Sequence, residues 1–225
     1  MKGAEILRKS VFGIVVASVW GVSAASATTI VLDQEFFPDA FPEFGQFTFT
    51  DGSIGVAQTF TVGQAGLLDS VEIHGNLNTP SELRILQTSG GAPVGGAAGS
   101  VVLASSTSAT IVSDGWPDLG ADRVYRFDFS AAGLAVNIGD ILALQPIADA
   151  ASGGIHMFGH LESVAAYAGG DAYYFNTNES VNDWATFSEA SDFDFRTYVT
   201  VPEPATVGLL AMGCVALLRR KRECC

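Results

Sequence analysis

Cysteine is missing from most of this 225-residue chain. The three cysteines, Cys214, Cys224 and Cys225, all lie within the last dozen residues. Residues 28–200 therefore hold no disulfide framework, no thiolate metal site and no cysteine nucleophile. A domain of this size can bury a sufficient hydrophobic core without such cross-links.

Basic residues are also scarce between the two ends of the chain. Three lie at the start and four at the end, and the long middle has no lysine and only Arg84, Arg123, Arg126 and Arg196. The formal net charge is −13 at pH 7. Nucleic-acid binding needs clustered cations that neutralise phosphates, so the sequence predicts no nucleic-acid partner.

Motifs of nucleophilic catalysis are absent as well: no Gly-x-Ser-x-Gly occurs, and only three histidines are present. We expect His74 to lie beside Glu72 on a solvated strand face. His156 and His160 follow two glycines, which favours a strand that ends in a turn, where this spacing separates side chains by about 13 Å. We therefore predict no catalytic residue and no metal site built on histidine.

Calcium is the one cofactor that the sequence leaves open, because hard cations take oxygen ligands in flexible loops. Neither group of candidate carboxylates matches the EF-hand pattern, so a solvated acidic rim is the expected role of both. The candidates are Asp114, Asp118, Asp122, Asp192 and Asp194.

The first 27 residues have the features of a secretory signal peptide. Basic residues begin it, an apolar run extends from Val11 to about Val22, and Ala25-Ser26-Ala27 supplies a small-residue cleavage site. We predict cleavage after Ala27. The alternative is an uncleaved membrane anchor.

Residues 201–225 differ in composition from the acidic middle. Pro202-Glu203-Pro204 precedes fourteen uncharged residues, 205–218, and then a basic cluster that consists of Arg219, Arg220, Lys221 and Arg222. A helix of this length spans about 21 Å, against a hydrocarbon core of about 30 Å, and snorkelling basic side chains can cover part of the difference. We predict a single short transmembrane helix at 205–218, with its basic end in the cytoplasm and the 28–200 domain outside.

This order of Pro-Glu-Pro, apolar segment and basic cluster resembles the PEP-CTERM sorting tails of exported proteins in bacteria that make extracellular polysaccharide. The resemblance implies recognition by an exosortase, a membrane cysteine protease, with removal of the tail. Prolines on both sides of Glu203 favour the extended backbone that a protease cleft needs. An ordinary C-terminal anchor is the alternative, and the extension 223–225 departs from the usual pattern.

Between the two ends, the sequence has short runs in which apolar and polar residues alternate, and it shows no helical periodicity. Turn formers such as Asp51-Gly52 and Gly90-Gly91 separate them. We predict an all-β domain over 28–200, an antiparallel two-sheet sandwich of the jelly-roll type. In each of three runs, one set of alternating residues is expected to share a strand face. The sets are Val56, Gln58, Phe60 and Val62; Tyr125, Phe127 and Phe129; and Phe193, Phe195, Thr197 and Val199.

The order of these runs over residues 56–200 resembles a β-sandwich module of bacterial surface proteins that is akin to galactose-binding-like jelly rolls. The resemblance rests on core and turn patterns. It implies a fold, a location outside the cytoplasm and, less directly, a carbohydrate ligand.

Trp116 and Trp184 lie in polar, turn-rich stretches rather than in apolar strands. Because a tryptophan on a polar loop is not readily explained by the core, both are candidate ligand-binding residues that could stack on sugar rings. The alternative is that each folds back and plugs an end of the sandwich.

Together these features predict an exported, non-catalytic protein that is first held in the membrane by its C-terminal helix. After exosortase processing it would stay at the cell surface or in the extracellular matrix, with polysaccharide as the candidate partner. Two alternatives stay open: a surface hydrolase that uses paired carboxylates, and an ice-binding protein, since some proteins of that kind carry the same tail.

Processing of both ends would leave a chain of about residues 28–203. We expect intact-mass spectrometry of the surface-associated protein to show this shortened chain, because each terminal signal is removed once it has been used. The full-length mass in that fraction would contradict both cleavage predictions.

Overall fold

The alternating runs form antiparallel strands in the computed structural model. It describes residues 28–37, 47–49, 54–77, 82–96, 98–113, 123–147, 155–157, 159–161, 166–187 and 191–203. All of these residues fall within one unit, Ala27–Glu203. The predicted signal peptide, the predicted helix at 205–218 and the basic cluster 219–222 lie outside the described residues.

The strands have the following bounds in chain order: β1 (Thr28–Phe36), β2 (Phe47–Phe49), β3 (Ile54–Thr61), β4 (Gly66–Leu77), β5 (Glu82–Ser89), β6 (Ala92–Pro93), β7 (Val102–Ser106), β8 (Ala109–Ser113), β9 (Arg123–Asp128), β10 (Ala135–Val136), β11 (Ile141–Ile147), β12 (Ile155–Met157), β13 (Gly159–Leu161), β14 (Ala172–Asn176), β15 (Val181–Thr186), β16 (Ser191–Phe193) and β17 (Phe195–Pro202). Two 3-10 turns, Ser130–Ala132 and Thr177–Glu179, accompany them. No α-helix occurs in these described ranges.

Two antiparallel sheets make up the sandwich, which confirms the predicted fold class. Sheet A has eight strands in the order β1-β17-β4-β12-β2, with β9 and β10 also paired to β4 and with β8 paired to β9. Sheet B has seven strands in the order β15-β14-β3-β11-β5-β6, with β7 paired to β5. The long strand β4 is the centre of sheet A, because β17 and β9 each pair with six of its twelve residues, on opposite edges.

The core lies between the two sheets and contains the three predicted faces. Both sheets contribute side chains to one continuous cluster of buried apolar residues, and Gln58 and Thr197 are buried with them. Each buried large apolar side chain contributes about 1.5–3 kcal/mol of transfer free energy. The predicted faces supply to this cluster Val56, Phe60, Val62, Tyr125, Phe127, Phe129, Phe193, Phe195 and Val199.

A partly buried polar network connects the segment before β14 to both sheets. The Gln58 side chain donates to Asp192 Oδ1 (3.0 Å), and Asp192 Oδ2 accepts the backbone N–H of Tyr167 (2.8 Å). The Tyr167 hydroxyl donates to Gln34 Oε1 (2.9 Å). Because an unsatisfied buried polar group costs about 1–3 kcal/mol, this network defines one position for the segment.

The Tyr167 hydroxyl makes stability sensitive to alkaline pH. Burial raises its pKa to about 12, and the charges of Asp33 and Asp192 act in the same direction. An unfolded tyrosine titrates at about pH 10, so the stability that neutral Tyr167 contributes is complete below about pH 10 and is lost as the pH rises through about 12. In urea unfolding, Tyr167→Phe should therefore reduce the alkaline fall in the free energy of unfolding. An unchanged pH dependence would contradict this assignment.

Candidate functional site

A row of charged side chains crosses the outer face of sheet A, the face that points away from the core. Cross-strand register aligns Glu35 with Arg196, Arg196 with Glu72, and Glu72 with Arg126, so that one row of charges crosses β1, β17, β4 and β9. Residues paired directly across antiparallel strands share a face at about 5 Å. The register therefore places alternating acids and bases side by side.

The Glu72 cluster, which comprises Glu35, Glu72, Arg126, Arg196 and Tyr198, is centred on a buried carboxylate. Glu72 is 3% exposed. Its Oε1 accepts from Arg126 Nε (3.0 Å) and Nη2 (2.6 Å), and its Oε2 accepts from Arg196 Nη1 (3.4 Å) and from the Tyr198 hydroxyl (3.1 Å). Arg196 Nε also donates to Glu35 Oε1 (2.6 Å).

The two arginines are held by charge and by aromatic rings. Burial lowers the pKa of Arg126, but the hydrogen bond and charge of Glu72 outweigh this effect and raise it. The Arg126 guanidinium carbon lies 5.0 Å from the Tyr198 ring centroid, and that of Arg196 lies 4.2 Å from the Phe37 ring centroid. Two of the few basic residues of this acidic domain therefore pair with the carboxylates of Glu72 and Glu35.

His74 corrects an expectation, because it is not solvated. It is 1% exposed, and its Nδ1 lies 3.1 Å from Asp194 Oδ2. The ring stacks on Phe37 with centroids 5.8 Å apart. Strand alternation predicted a solvated face for His74 and Glu72. Instead, Phe37 stacks on His74, and Arg196 and Tyr198 of β17 contact Glu72.

The candidate calcium ligands in the described region already have protein partners. Asp192 accepts from Gln58 and from the Tyr167 backbone, and Asp194 contacts His74. Within the described ranges, no group of three or more histidine, cysteine or acidic side chains is arranged to hold a metal ion. The other three candidates, Asp114, Asp118 and Asp122, fall in residues that the structure does not describe, and so does Trp116.

Trp184 lies on β15 and is half-buried against the outer face of sheet B. Its ring packs edge-on against Phe175 with centroids 4.9 Å apart, and its Nε1 donates to Ser100 Oγ (3.3 Å). A backbone bridge joins Gly96 to Asp183, where a Cβ at residue 96 would overlap a carbonyl of β15. The glycine-rich stretch before Ser100 thus packs beside this tryptophan. Its role in ligand binding stays a prediction.

An open cleft of about 450 Å³ lies beside the Glu72 cluster and shares Arg126 with it. A β-bulge in β4 shapes the cleft, because Tyr198 pairs with Ser70 and Val199 pairs with Leu68, which leaves Asp69 as the extra residue. Bulges redirect side chains in this way. The lining consists of Asp69, Ser70, Ser108, Thr110, Arg126, Asp128 and Ser130.

Hydroxyl groups and backbone amides hold the two carboxylates of this cleft. Asp69 accepts from Thr200 Oγ1 (3.2 Å) and from Ser70 Oγ (3.0 Å). Asp128 accepts the backbone N–H of Ser130 (2.8 Å), and the hydroxyl and amide of Ser130 lower the pKa of Asp128. The cleft is not evident from the sequence, because its only signal there is the polar side of residues 124–129, and the bulge at Asp69 has no local signature.

The candidate sorting motif begins where β17 ends. Pro202 is the last residue of that strand and pairs with Thr28 of β1, while Glu203 Oε1 accepts from Thr29 Oγ1 (3.3 Å). Pro204 and the four basic residues of the cluster are not among the described residues. Within the part of the chain that the structure describes, no helix has the length and hydropathy that crossing a bilayer requires.

The Glu72 cluster should contribute measurably to stability. Glu72→Gln removes the charge that two partly buried arginines share, and we expect a loss of about 1–3 kcal/mol in the urea unfolding free energy. Glu82→Gln is the matched control, because Glu82 pairs with Arg84 at a more exposed position, where a loss below about 1 kcal/mol is expected. Equal losses in both variants would contradict the central role of Glu72.

Comparison with known proteins identifies the tail. A family model described as the PEP-CTERM protein-sorting motif matches residues 200–222, which include every predicted sorting residue from Pro202 to Arg222. A search of curated proteins found no match. The motif supports export, anchoring of the tail in the membrane and processing by an exosortase, in agreement with the resemblance noted in the sequence. The chain is thus an exported protein that carries a PEP-CTERM sorting motif at its C-terminal end.

Proposed function

We propose that the exported domain is a non-catalytic binding module that takes extracellular polysaccharide into the cleft on the outer face of sheet A. The lining of the cleft carries this proposal. Four hydroxyl side chains, two carboxylates and one guanidinium surround an open groove. Sugars present closely spaced hydroxyls that both donate and accept, and this lining offers partners of both kinds.

The electrostatics of the cleft favour binding over hydrolysis. A glycosidase of the common two-carboxylate type needs one carboxylic acid whose raised pKa keeps it protonated near neutral pH. The pKa of Asp128 is lowered instead, because Ser130 donates to it. Asp69 serves as an acceptor for two neighbouring hydroxyls. A hydrolase that uses Asp69 and Asp128 stays as the alternative.

The charge of the lining favours neutral chains or amino sugars. Asp69 and Asp128 both face the cleft, while the guanidinium of Arg126 already bonds to Glu72. A uronic acid or sulfated sugar would approach two carboxylates, and the described lining residues offer no cation besides Arg126. The like charges would repel, by an amount that decreases as the salt concentration rises.

Binding of neutral polysaccharides by the processed protein tests this proposal. We expect Asp128→Asn to weaken binding about tenfold, because a hydrogen bond to a charged group is worth about 1.5–3 kcal/mol. Asp183→Asn makes the same chemical change on exposed β15 of sheet B and should leave binding within about twofold. Calorimetric titration gives both values.

Three results would contradict parts of the proposal. Binding that is lost in Trp184→Ala and retained in Asp128→Asn would move the site to the outer face of sheet B. Release of new reducing ends would favour the hydrolase. Thermal hysteresis without glycan binding would favour the ice-binding alternative, which stays a prediction.

A further inference from the structure

The beginning of the sorting motif is part of a folded sheet. β17 lies between two neighbours as far as Thr200, which pairs with Leu67 of β4 and with Ile30 of β1. Beyond that point, the register continues with β1 alone, through Val201 opposite Thr29 and Pro202 opposite Thr28. The first motif residues are therefore the end of a strand with one neighbour.

Side-chain contacts extend this pairing into the motif. Thr29 Oγ1 donates to Glu203 Oε1 at 3.3 Å, across a separation of 174 residues in the chain. Val201 packs against the core cluster, although it is only partly buried. The central glutamate of Pro-Glu-Pro is thus bonded to the strand that begins the folded domain.

A chain segment that enters a protease cleft binds in an extended form and pairs its backbone with the enzyme. Pairing with β1 occupies one backbone edge of this segment, so a cleft that surrounds the segment on both edges can close on it only after that edge has separated from β1. We propose that β1 controls access to the sorting motif: Thr28 pairs with Pro202 in sheet A, Thr29 bonds to the Glu203 side chain, and exosortase processing requires this end of the β1–β17 pair to open.

Burial sets how far the opening can extend without unfolding the domain. Thr28, Thr29 and Ile30 are exposed, with Ile30 at 58%, whereas Val199 is fully buried in the core. Strand ends with few buried contacts open locally at much lower free energy than the whole domain unfolds. Residues 200–203 can therefore separate from β1 while Val199 stays in place.

A disulfide across the opening pair tests this proposal directly. Thr29 and Val201 are partners in antiparallel register, and such partners lie about 4.5–5.5 Å apart at Cα, within the range of a disulfide. Residues 28–200 contain no cysteine, so the double variant Thr29→Cys/Val201→Cys has no competing thiol within the domain. The three tail cysteines are common to every variant.

The experiment follows tail removal from the full-length chain in membranes that contain an exosortase, by pulse-chase and intact mass. When opening is fast, cleavage tracks the population of the open form, so the oxidised double variant should be processed on the order of tenfold more slowly than either single-cysteine variant. Reduction should restore the rate. Glu82→Cys/Ile147→Cys is the matched control, a paired position in sheet B that should be processed at the wild-type rate.

A second variant should increase the rate of processing instead of lowering it. Thr29→Val keeps the shape of the side chain and removes the hydroxyl that bonds to Glu203, so processing should become about two- to threefold faster. The proposal is overturned if the oxidised Thr29→Cys/Val201→Cys chain is processed at the wild-type rate or faster, because the motif would then be recognised without leaving the sheet. These outcomes do not depend on whether the cleft binds polysaccharide.

Discussion

The position of β17 between β1 and β4 is the constraint on which the other features depend. Its inward side chains Phe195 and Val199 belong to the core, and its outward side chains Arg196 and Tyr198 contact the buried carboxylate of Glu72. Because side chains alternate along a strand, one register serves both faces at once. A slip of one residue would expose the core side and bury the charged side.

The Glu72 cluster connects this register to the candidate binding cleft. A buried carboxylate is tolerated only when its charge and lone pairs have partners, and Arg126, Arg196 and Tyr198 supply them. The row of charges specifies how β1, β17, β4 and β9 align. It also orients Arg126, which forms one wall of the cleft, so that stability and candidate function share a side chain.

The end of β17 belongs both to the folded sheet and to the sorting motif. The PEP-CTERM motif is a sorting signal contained in a short linear segment. Its first residues nevertheless belong to sheet A and bond to β1. The folded domain thus presents the motif in a state that depends on local strand stability. An exported protein built in this way would link the release of its tail to the opening of one strand end.

The sequence by itself determined the sorting signal and the fold class. Sorting motifs are contiguous in the chain, and period-two alternation is a local property. Both could therefore be recognised without knowing which residues are neighbours in the folded structure. Tertiary structure alone decided that His74 is buried, that the extra residue Asp69 faces the cleft, and that Trp184 lies on sheet B against the sandwich. Strand order and register arise from contacts between distant parts of the chain, and a bulge leaves no mark on local composition.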